Sequence, residues 1–231
     1  DYERAVITND SALKLALSGH YQRATAEVYF NYGYIERARN NTAGYIDNLK
    51  TSIEYYERAG YYRGSGKALF LIGQAYVSLG DEKTALEYFR KSSLHREKAG
   101  DSVGMANSLT NVATLNYKAG NYDAAANEFF TVLELAKKLN NDKLRAICLS
   151  NLAHLSNKMN NYGQSLRYLD EALLLQRKLG NRQAESNVFT NYGTTYTELK
   201  NYEKARWAFN IALKIKEEIN DEKGIAATYS N

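Results

Sequence analysis

Apolar and polar positions along the chain fall into runs of about 17 residues, each long enough for a helix of roughly 26 Å. The runs recur with a period of forty. In residues 181–220, NRQAESNVFTNYGTTYTELKNYEKARWAFNIALKIKEEIN, two such runs are joined by a short turn. Asn191-Tyr192-Gly193 repeats as Asn31-Tyr32-Gly33, four periods earlier. Asn201-Tyr202-x-x-Ala205 repeats as Asn121-Tyr122-x-x-Ala125, and as Asp1-Tyr2-x-x-Ala5 at the first residue. A fixed period of this size marks a repeat array, in which each unit buries its apolar face only against its neighbours.

The stops between runs lie on the same grid. Gly60, Gly100, Asn140, Gly180 and Asn220 are forty apart, and Gly19 opens that series one residue early, just before His20. Asn40, Gly80, Gly120, Asn160 and Lys200 form a second series, offset by twenty. Gly and Asn accept a left-handed backbone and so close helices at little cost. Asp81, Asn121, Asn161 and Asn201 follow as N-caps. Asp123 and Glu203 stand in the first turn, where a carboxylate complements the helix dipole. The pattern predicts an all-α array of antiparallel helix pairs, about 11–12 helices in all. Residues 1–20 form the second helix of a preceding repeat, its run ending at 18. Repeats follow at 21–60, 61–100, 101–140, 141–180 and 181–220, and 221–231 starts a further helix.

Within each pair, A denotes the first helix and B the second. On A an apolar line, Tyr29-Tyr32, Leu69-Ile72, Leu109-Val112, Leu149-Leu152 and Phe189-Tyr192, is followed by a small residue: Gly33, Gly73, Ala113, Ala153 or Gly193. Glycine inside a helix costs about 1 kcal/mol relative to alanine, so these positions imply close approach of a neighbour. On B the small position is Ala85, Ala125, Ser165 and Ala205, and four residues later comes Leu49, Phe89, Phe129, Leu169 or Phe209. Small facing large across antiparallel helices is ordinary interdigitation.

This order, large, apolar, small on A and small, aromatic, small on B, resembles the tetratricopeptide repeat. Leu69-x-x-Ile72-Gly73-x-x-Tyr76 with Ala85-x-x-x-Phe89-x-x-Ser92 is the nearest single unit, and the resemblance extends over the whole chain. The common form has a period of about 34 and a Pro ending B. Here the period is forty, and Glu57, Glu97, Lys137, Arg177 and Glu217 stand in place of that Pro. The chain looks like the long-helix branch found in peptide receptors of bacterial quorum sensing, kinesin light chains and polarity adaptors with Leu-Gly-Asn repeats. Its EKGIAATYSN segment also looks like repeat arrays preceding bacterial sensor kinases and regulators. The resemblance implies a right-handed α-α superhelix with A helices lining the concave side.

The first complete unit is irregular. Thr42 stands where Tyr is expected, Tyr45 where the small Ala is expected, and Glu36 where later units have Tyr76 and Tyr196. A local change of curvature, or insertion of Tyr45 into the convex side, is the expectation.

A polar stripe runs beside the apolar line of the A helices, because helical neighbours fall at three and four residues. It comprises Asn31-Tyr34, Leu71-Gln74, Asn111-Thr114, Asn151-His154 and Asn191-Thr194, extended one turn back by Glu27, Lys67, Asn107, Ile147 and Asn187. Asn costs around 0.5 kcal/mol against Ala in a helix, and its carboxamide carries a donor and an acceptor on one plane. That pair matches an extended peptide backbone, and in the long-repeat families Asn at this place contacts one. Two readings stay open: the Asn side chains hold a peptide, or they bond between adjacent helices and stiffen the array. The groove candidates are Asn31, Lys67, Gln74, Asn107, Asn111, Thr114, Asn151, His154, Asn187, Asn191 and Thr194. Leu71 interrupts the ladder beside Phe70 and Lys67: a peptide side chain docks there, or Leu71 packs beside the irregular unit before it, and packing is the favoured of the two.

Composition narrows the functions. The 231 residues are 44% apolar and 24% charged, the balance of a folded protein, and contain no Pro. A net charge of +4, dispersed along the chain, gives no nucleic-acid footprint. No apolar run reaches the length of a membrane span, and the first residues lack a signal peptide pattern. Cys148 is the one cysteine, compatible with a reducing compartment, and a cytoplasmic location is expected. His20, His95 and His154 are too scattered to share a metal, and neither a metal nor a cofactor is expected. Arg63-Gly64-Ser65-Gly66-Lys67 fails as a phosphate loop: Tyr61 replaces the first Gly, Ala68 replaces Ser or Thr, and no strand precedes it. A flexible lead-in to an A helix is the plainer reading.

No catalytic set has a defensible geometry, so the expected function is a non-enzymatic scaffold for a protein or peptide segment, serving a larger signalling protein. A self-associating or spacer module is one alternative. The regulatory region of an enzyme whose catalytic domain lies outside these residues is another. The terminal helix bearing Tyr2, Ala5, Val6, Leu13 and Leu17 reads as wanting a partner. Flanking sequence is expected, with exposed apolar surface or pairing into a homo-oligomer when the segment stands alone.

Overall fold

The computed structural model describes residues 2–229. The expected helix start at Asp1 and the continuation of the last helix to Asn231 lie outside them, as does the side chain of Tyr2. The described residues form twelve α-helices and no strand. They are α1 Tyr2–Ser18, α2 Gln22–Ala38, α3 Thr42–Arg58, α4 Tyr62–Ser78, α5 Glu82–Lys98, α6 Ser102–Lys118, α7 Tyr122–Lys138, α8 Asp142–Lys158, α9 Tyr162–Lys178, α10 Arg182–Glu198, α11 Tyr202–Glu218 and α12 Glu222–Tyr229. Even-numbered helices are the A helices and odd-numbered ones the B helices. The chain divides into two compact units, residues 1–115 and 116–231.

One turn is used throughout. Every twentieth residue from His20 to Asn220 has a positive φ, between 49° and 79°. At Gly100 the amide donates to the Glu97 carbonyl at 2.9 Å, and the next amide, Asp101, donates to the Arg96 carbonyl at 2.8 Å. These two bonds satisfy carbonyls that the end of α5 would otherwise leave bare. Asp101 then accepts from the Gly104 amide at 3.0 Å, so the residue that closes one helix caps the next. Asn41, Asp81, Asn141, Asn161, Asn181, Asn201 and Asp221 cap in the same way. Two expectations are corrected. The first stop is His20 itself, with φ 53°, and not Gly19, so the grid is unbroken. The Asn121 side chain makes no cap hydrogen bond.

The cores are built on size complementarity. A Cβ added to Gly73 would lie 2.8 Å from Phe89, a ring with no solvent exposure that sits 5.3 Å from Phe70. Gly193 faces Phe209 the same way, at 2.4 Å. At the equivalent place where B carries Leu169, A carries Ala153, and both are buried. Gly33 faces Leu49 at 3.3 Å, and Tyr45 fills the remaining space at 3.5 Å. A second set pairs a B residue with the A residue eight positions later. Tyr56 packs over Gly64, where a Cβ would come within 2.7 Å, and the Arg96 guanidinium occupies the space beside Gly104. In the other unit the small and large roles reverse, with Ala136 and Leu144 both buried.

The Arg63–Lys67 segment is therefore no flexible lead-in. It is the first turn of α4, with Gly64, Ser65 and Gly66 buried. A Cβ on Gly66 would meet Arg96 Cγ at 2.8 Å. Ser92 Oγ, which lies 2.9 Å from Ser108 Oγ, donates to the Gly66 carbonyl at 2.7 Å. Ser65 Oγ lies 2.8 Å from His95 Nδ1. Burial holds the His95 imidazole below its ordinary pKa, against the opposing pull of Glu57.

Three outcomes follow from this packing. Lys200 holds a left-handed backbone with a Cβ, which costs about 1–2 kcal/mol. Lys200→Gly should raise the unfolding free energy by about 1 kcal/mol in urea titration, and no change would remove strain from this turn. Gly73→Ala should gain about 1 kcal/mol on helix propensity. Overpacking Phe89 costs about 1–3 kcal/mol, so the net effect should be a loss, reversed in part by adding Phe89→Leu. A stabilised single variant would show that the ring gives way freely. For His95 the folded pKa is depressed, so the unfolded chain binds the extra proton first. Stability should be complete above pH 6.5 and decline as pH falls from there to the depressed folded value. His95→Gln should flatten that segment of the melting-temperature profile, and an unchanged slope would assign it elsewhere.

Candidate functional site

In the first unit the sequence-derived stripe residues lie on three A helices: Asn31 on α2, Lys67 and Gln74 on α4, and Asn107, Asn111 and Thr114 on α6. Asn31, Lys67, Gln74, Asn107 and Thr114 are exposed and Asn111 is half-buried. In the second unit Asn151 and His154 lie on α8, and Asn187, Asn191 and Thr194 on α10. Asn187 and His154 are exposed, and Asn151, Asn191 and Thr194 are half-buried. Their placement follows from the apolar line, which turns the neighbouring residues of each A helix outward by one helical step.

The hydrogen bonds of this stripe are local. Asn111 Nδ2 donates to the Asn107 carbonyl of its own helix at 2.9 Å. Thr114 Oγ1 and Thr194 Oγ1 donate to carbonyls one turn back, at 2.8 and 3.2 Å. Among the described residues the Asn151 and Asn191 carboxamides make no hydrogen bond. Lys67 lays its ammonium 4.9 Å over the Phe30 ring. His154 packs beside Tyr117, with ring centroids 5.2 Å apart.

Polar bonds between helices run through other residues, which the sequence pattern did not single out. In the second unit Asn157 Nδ2 donates to Thr195 Oγ1 at 2.8 Å, and Thr195 donates to the Asn191 carbonyl at 2.9 Å. Lys216, buried on α11, donates to Thr190 Oγ1 at 3.2 Å and to Thr228 Oγ1 at 2.6 Å. Burial lowers its pKa. The Tyr32 hydroxyl donates to Asp10, and Tyr192 donates to Asp170 in the same register. The spacing of 22 within each pair was the available signal. It sits on the repeat grid at a position that reads only as an apolar Tyr.

The irregular unit differs from its expectation. Tyr45 does not enter an outer face: it is 4% exposed, packed in one core with Phe30, Leu49, Leu71 and Ile72. Glu36, the other irregular residue, accepts from Asn41 Nδ2 at 2.5 Å and from Arg39 at 3.1 Å. Leu71 is buried, as packing requires. It shares with Arg37, Tyr45, Gln74 and Ala75 the wall of a cavity of about 230 Å³.

The set-aside groups stay apart. Cys148 is buried, donates to the Phe129 carbonyl at 2.9 Å, and has its thiol pKa pushed up to about 12 by burial, which keeps it protonated and unreactive. Among the described residues no group of three His, Cys, Asp or Glu could hold a metal ion, and no helix is long and apolar enough to cross a membrane.

No curated protein matches the chain in sequence. Among solved structures, BtubC from P. vanneervenii is 16% identical, with a TM-score of 0.78 over 95% of this chain and 92% of that one. The apo form of RapI is also 16% identical, with a TM-score of 0.80 over 95% of this chain. A Rap protein complexed with Competence and Sporulation Factor is 17% identical, with a TM-score of 0.68 over 90% of this chain. The chain spans 62% of RapI and 57% of the Rap protein. These likenesses share the fold. A tetratricopeptide repeat model matches residues 64–138 and 144–218. With more than half of its length so matched, the chain belongs to the tetratricopeptide repeat family.

Proposed function

We propose that the chain is a non-enzymatic binding module that holds an extended protein or peptide segment against the polar stripe of its A helices, as the sensory or regulatory part of a larger signalling protein. The observation that carries this reading is the division of labour among polar groups. Bonds between helices run through Ser92, Asn157, Lys216 and the Tyr–Asp pairs. The Asn carboxamides of the stripe are left to solvent or to their own helix. Asn is a poor choice for a merely solvated helix face, where Lys, Glu or Gln would cost less. In the second unit Asn151 and Asn191 offer a donor and an acceptor each to a peptide backbone. Asn187, His154 and Thr194 beside them would read its side chains. In the first unit Asn31, Lys67, Gln74, Asn107, Asn111 and Thr114 serve in the same way. The Rap complex with Competence and Sporulation Factor supports the reading by showing a ligand on a related fold.

Self-association draws on a different observation: Ile7 and Leu15 of α1 are 64% and 70% exposed. Light scattering over a concentration series distinguishes it. Dimers that form without any peptide hits would favour the self-associating module.

The binding reading predicts the behaviour of the double variant Asn151→Ala, Asn191→Ala. A net hydrogen bond contributes about 0.5–1.5 kcal/mol, so a peptide selected on the unmodified protein should bind more weakly by about 1–3 kcal/mol in calorimetric titration. The melting temperature should hold or rise, because Ala is favoured in a helix by about 0.5 kcal/mol per site. A lower melting temperature with unchanged affinity would remove these residues from the binding model.

A further inference from the structure

The cavity at the C-terminal end of α4 brings one groove candidate, Gln74, to the same wall as the buried Tyr45 hydroxyl. Its floor and sides are Leu71 and Ala75 of α4, Tyr45 of α3 and Leu79; its rim carries Arg37 of α2 and Gln74. Tyr45 stands at the position that other units fill with Ala or Ser, and its ring takes the space beside Gly33. The Tyr45 side chain is 4% exposed; the Arg37 guanidinium, which can only donate, faces its hydroxyl, and no acceptor takes the hydroxyl proton. A buried hydroxyl whose proton finds no acceptor is destabilising, and a well-packed phenylalanine would avoid that cost. An oxygen kept under those conditions points to a ligand that supplies the missing bond.

The chemistry of the wall selects the ligand. Arg37 places its guanidinium 5.7 Å over the Tyr45 ring and has no carboxylate partner among the described residues. The carboxylate beside it in sequence, Glu36, is occupied by Asn41 and Arg39. The Gln74 carboxamide is likewise unbonded, and its amide nitrogen adds a third donor. No acidic residue lines the cavity. A cation, a phenol and an amide converging with no anion between them form a site for a negative oxygen. Leu71, Ala75 and Leu79 offer an apolar wall for methylene groups.

We propose that this cavity is a specificity pocket for an acidic side chain, with glutamate as the fitting residue: its methylenes against Leu71 and Ala75, its carboxylate accepting from Tyr45 Oη and Arg37. The proposal rests on the reading that a partner segment lies along the A helices, and adds to it the residue type selected by the irregular unit. The same donors would also accept the α-carboxylate of a chain end. The side-chain source is preferred because the apolar wall would be wasted on a bare terminus.

The test is a nuclear magnetic resonance titration of the full chain with three small probes. They are Nα-acetyl-glutamate α-amide, its neutral isostere Nα-acetyl-glutamine α-amide, and N-acetyl-alanine, which carries only an α-carboxylate. The glutamate probe should give saturable shifts at Tyr45, Leu71 and Gln74, with the glutamine probe at least tenfold weaker and N-acetyl-alanine at least fivefold weaker. Tyr45→Phe removes a single oxygen and should weaken the glutamate probe about fivefold or more, with an unchanged or higher melting temperature. Equal binding of the glutamine probe, or shifts that do not centre on these residues, would overturn the proposal. N-acetyl-alanine as the tightest probe would overturn the side-chain assignment. A protein that takes the glutamate probe but no peptide refutes the groove reading and leaves the pocket; one that binds peptides but not the probe does the reverse.

Discussion

The structure depends on a turn that allows one conformation at one residue in twenty. A left-handed residue ends each of the helices α1 to α11, and the residue after it both closes that helix and, at most turns, caps the next. With two residues shared in this way, the link has no slack. Helix length, the antiparallel relation within each pair and the phase of the apolar line are then fixed together. The forty-residue period is two such turns. Neither a helix one residue longer nor a link one residue longer would keep Gly73 opposite Phe89 or Gly193 opposite Phe209.

Within that frame the size pairs decide what packs where, and they show why glycines with a functional look are structural. Gly64 and Gly66 sit in a sequence that suggests a phosphate loop, yet each leaves room for a side chain of another helix, Tyr56 in one case and Arg96 in the other. Gly104 does the same for the Arg96 guanidinium, which is also held by Asp101 at 3.2 Å. These contacts consume the bulk and the polarity of the inner faces. The outward step of each A helix lies beside these contacts, and its hydrogen bonds stay within its own helix.

Much of this was legible in the sequence because the repeat prints the same rule several times. Gly and Asn at twenty-residue intervals marked the turns, and small residues beside an apolar line marked the close approaches. The misreadings fell where one unit departs from the rule. Tyr45 at an alanine position reads as a side chain with nowhere to go, since the space it enters is opened by Gly33 on another helix and by Leu49 being smaller than Phe. His20 as a left-handed stop was hidden by the adjacent Gly19, which propensity favours but geometry does not use. The Tyr32–Asp10 and Tyr192–Asp170 bonds were invisible for another reason. A tyrosine on an apolar line gives no sign that its hydroxyl crosses to a carboxylate on the preceding helix. The stripe was legible as a pattern of Asn; whether those carboxamides bond to neighbouring helices was not, because propensity treats both uses alike.

The central claim is that the turns and size pairs hold the fold while the polar A-helix stripe is free for a partner. Saturation mutagenesis read out by protease resistance measures this at every position in one experiment, with no ligand needed. The account predicts that Gly73, Phe89, Leu169 and Gly193 tolerate almost no change, and that Asn151, Asn187, Asn191 and Thr194 accept nearly any helix-forming residue without loss of resistance. If the Asn positions proved as intolerant as the glycines beside them, the stripe would be part of the scaffold and the division between fold and function drawn here would be wrong.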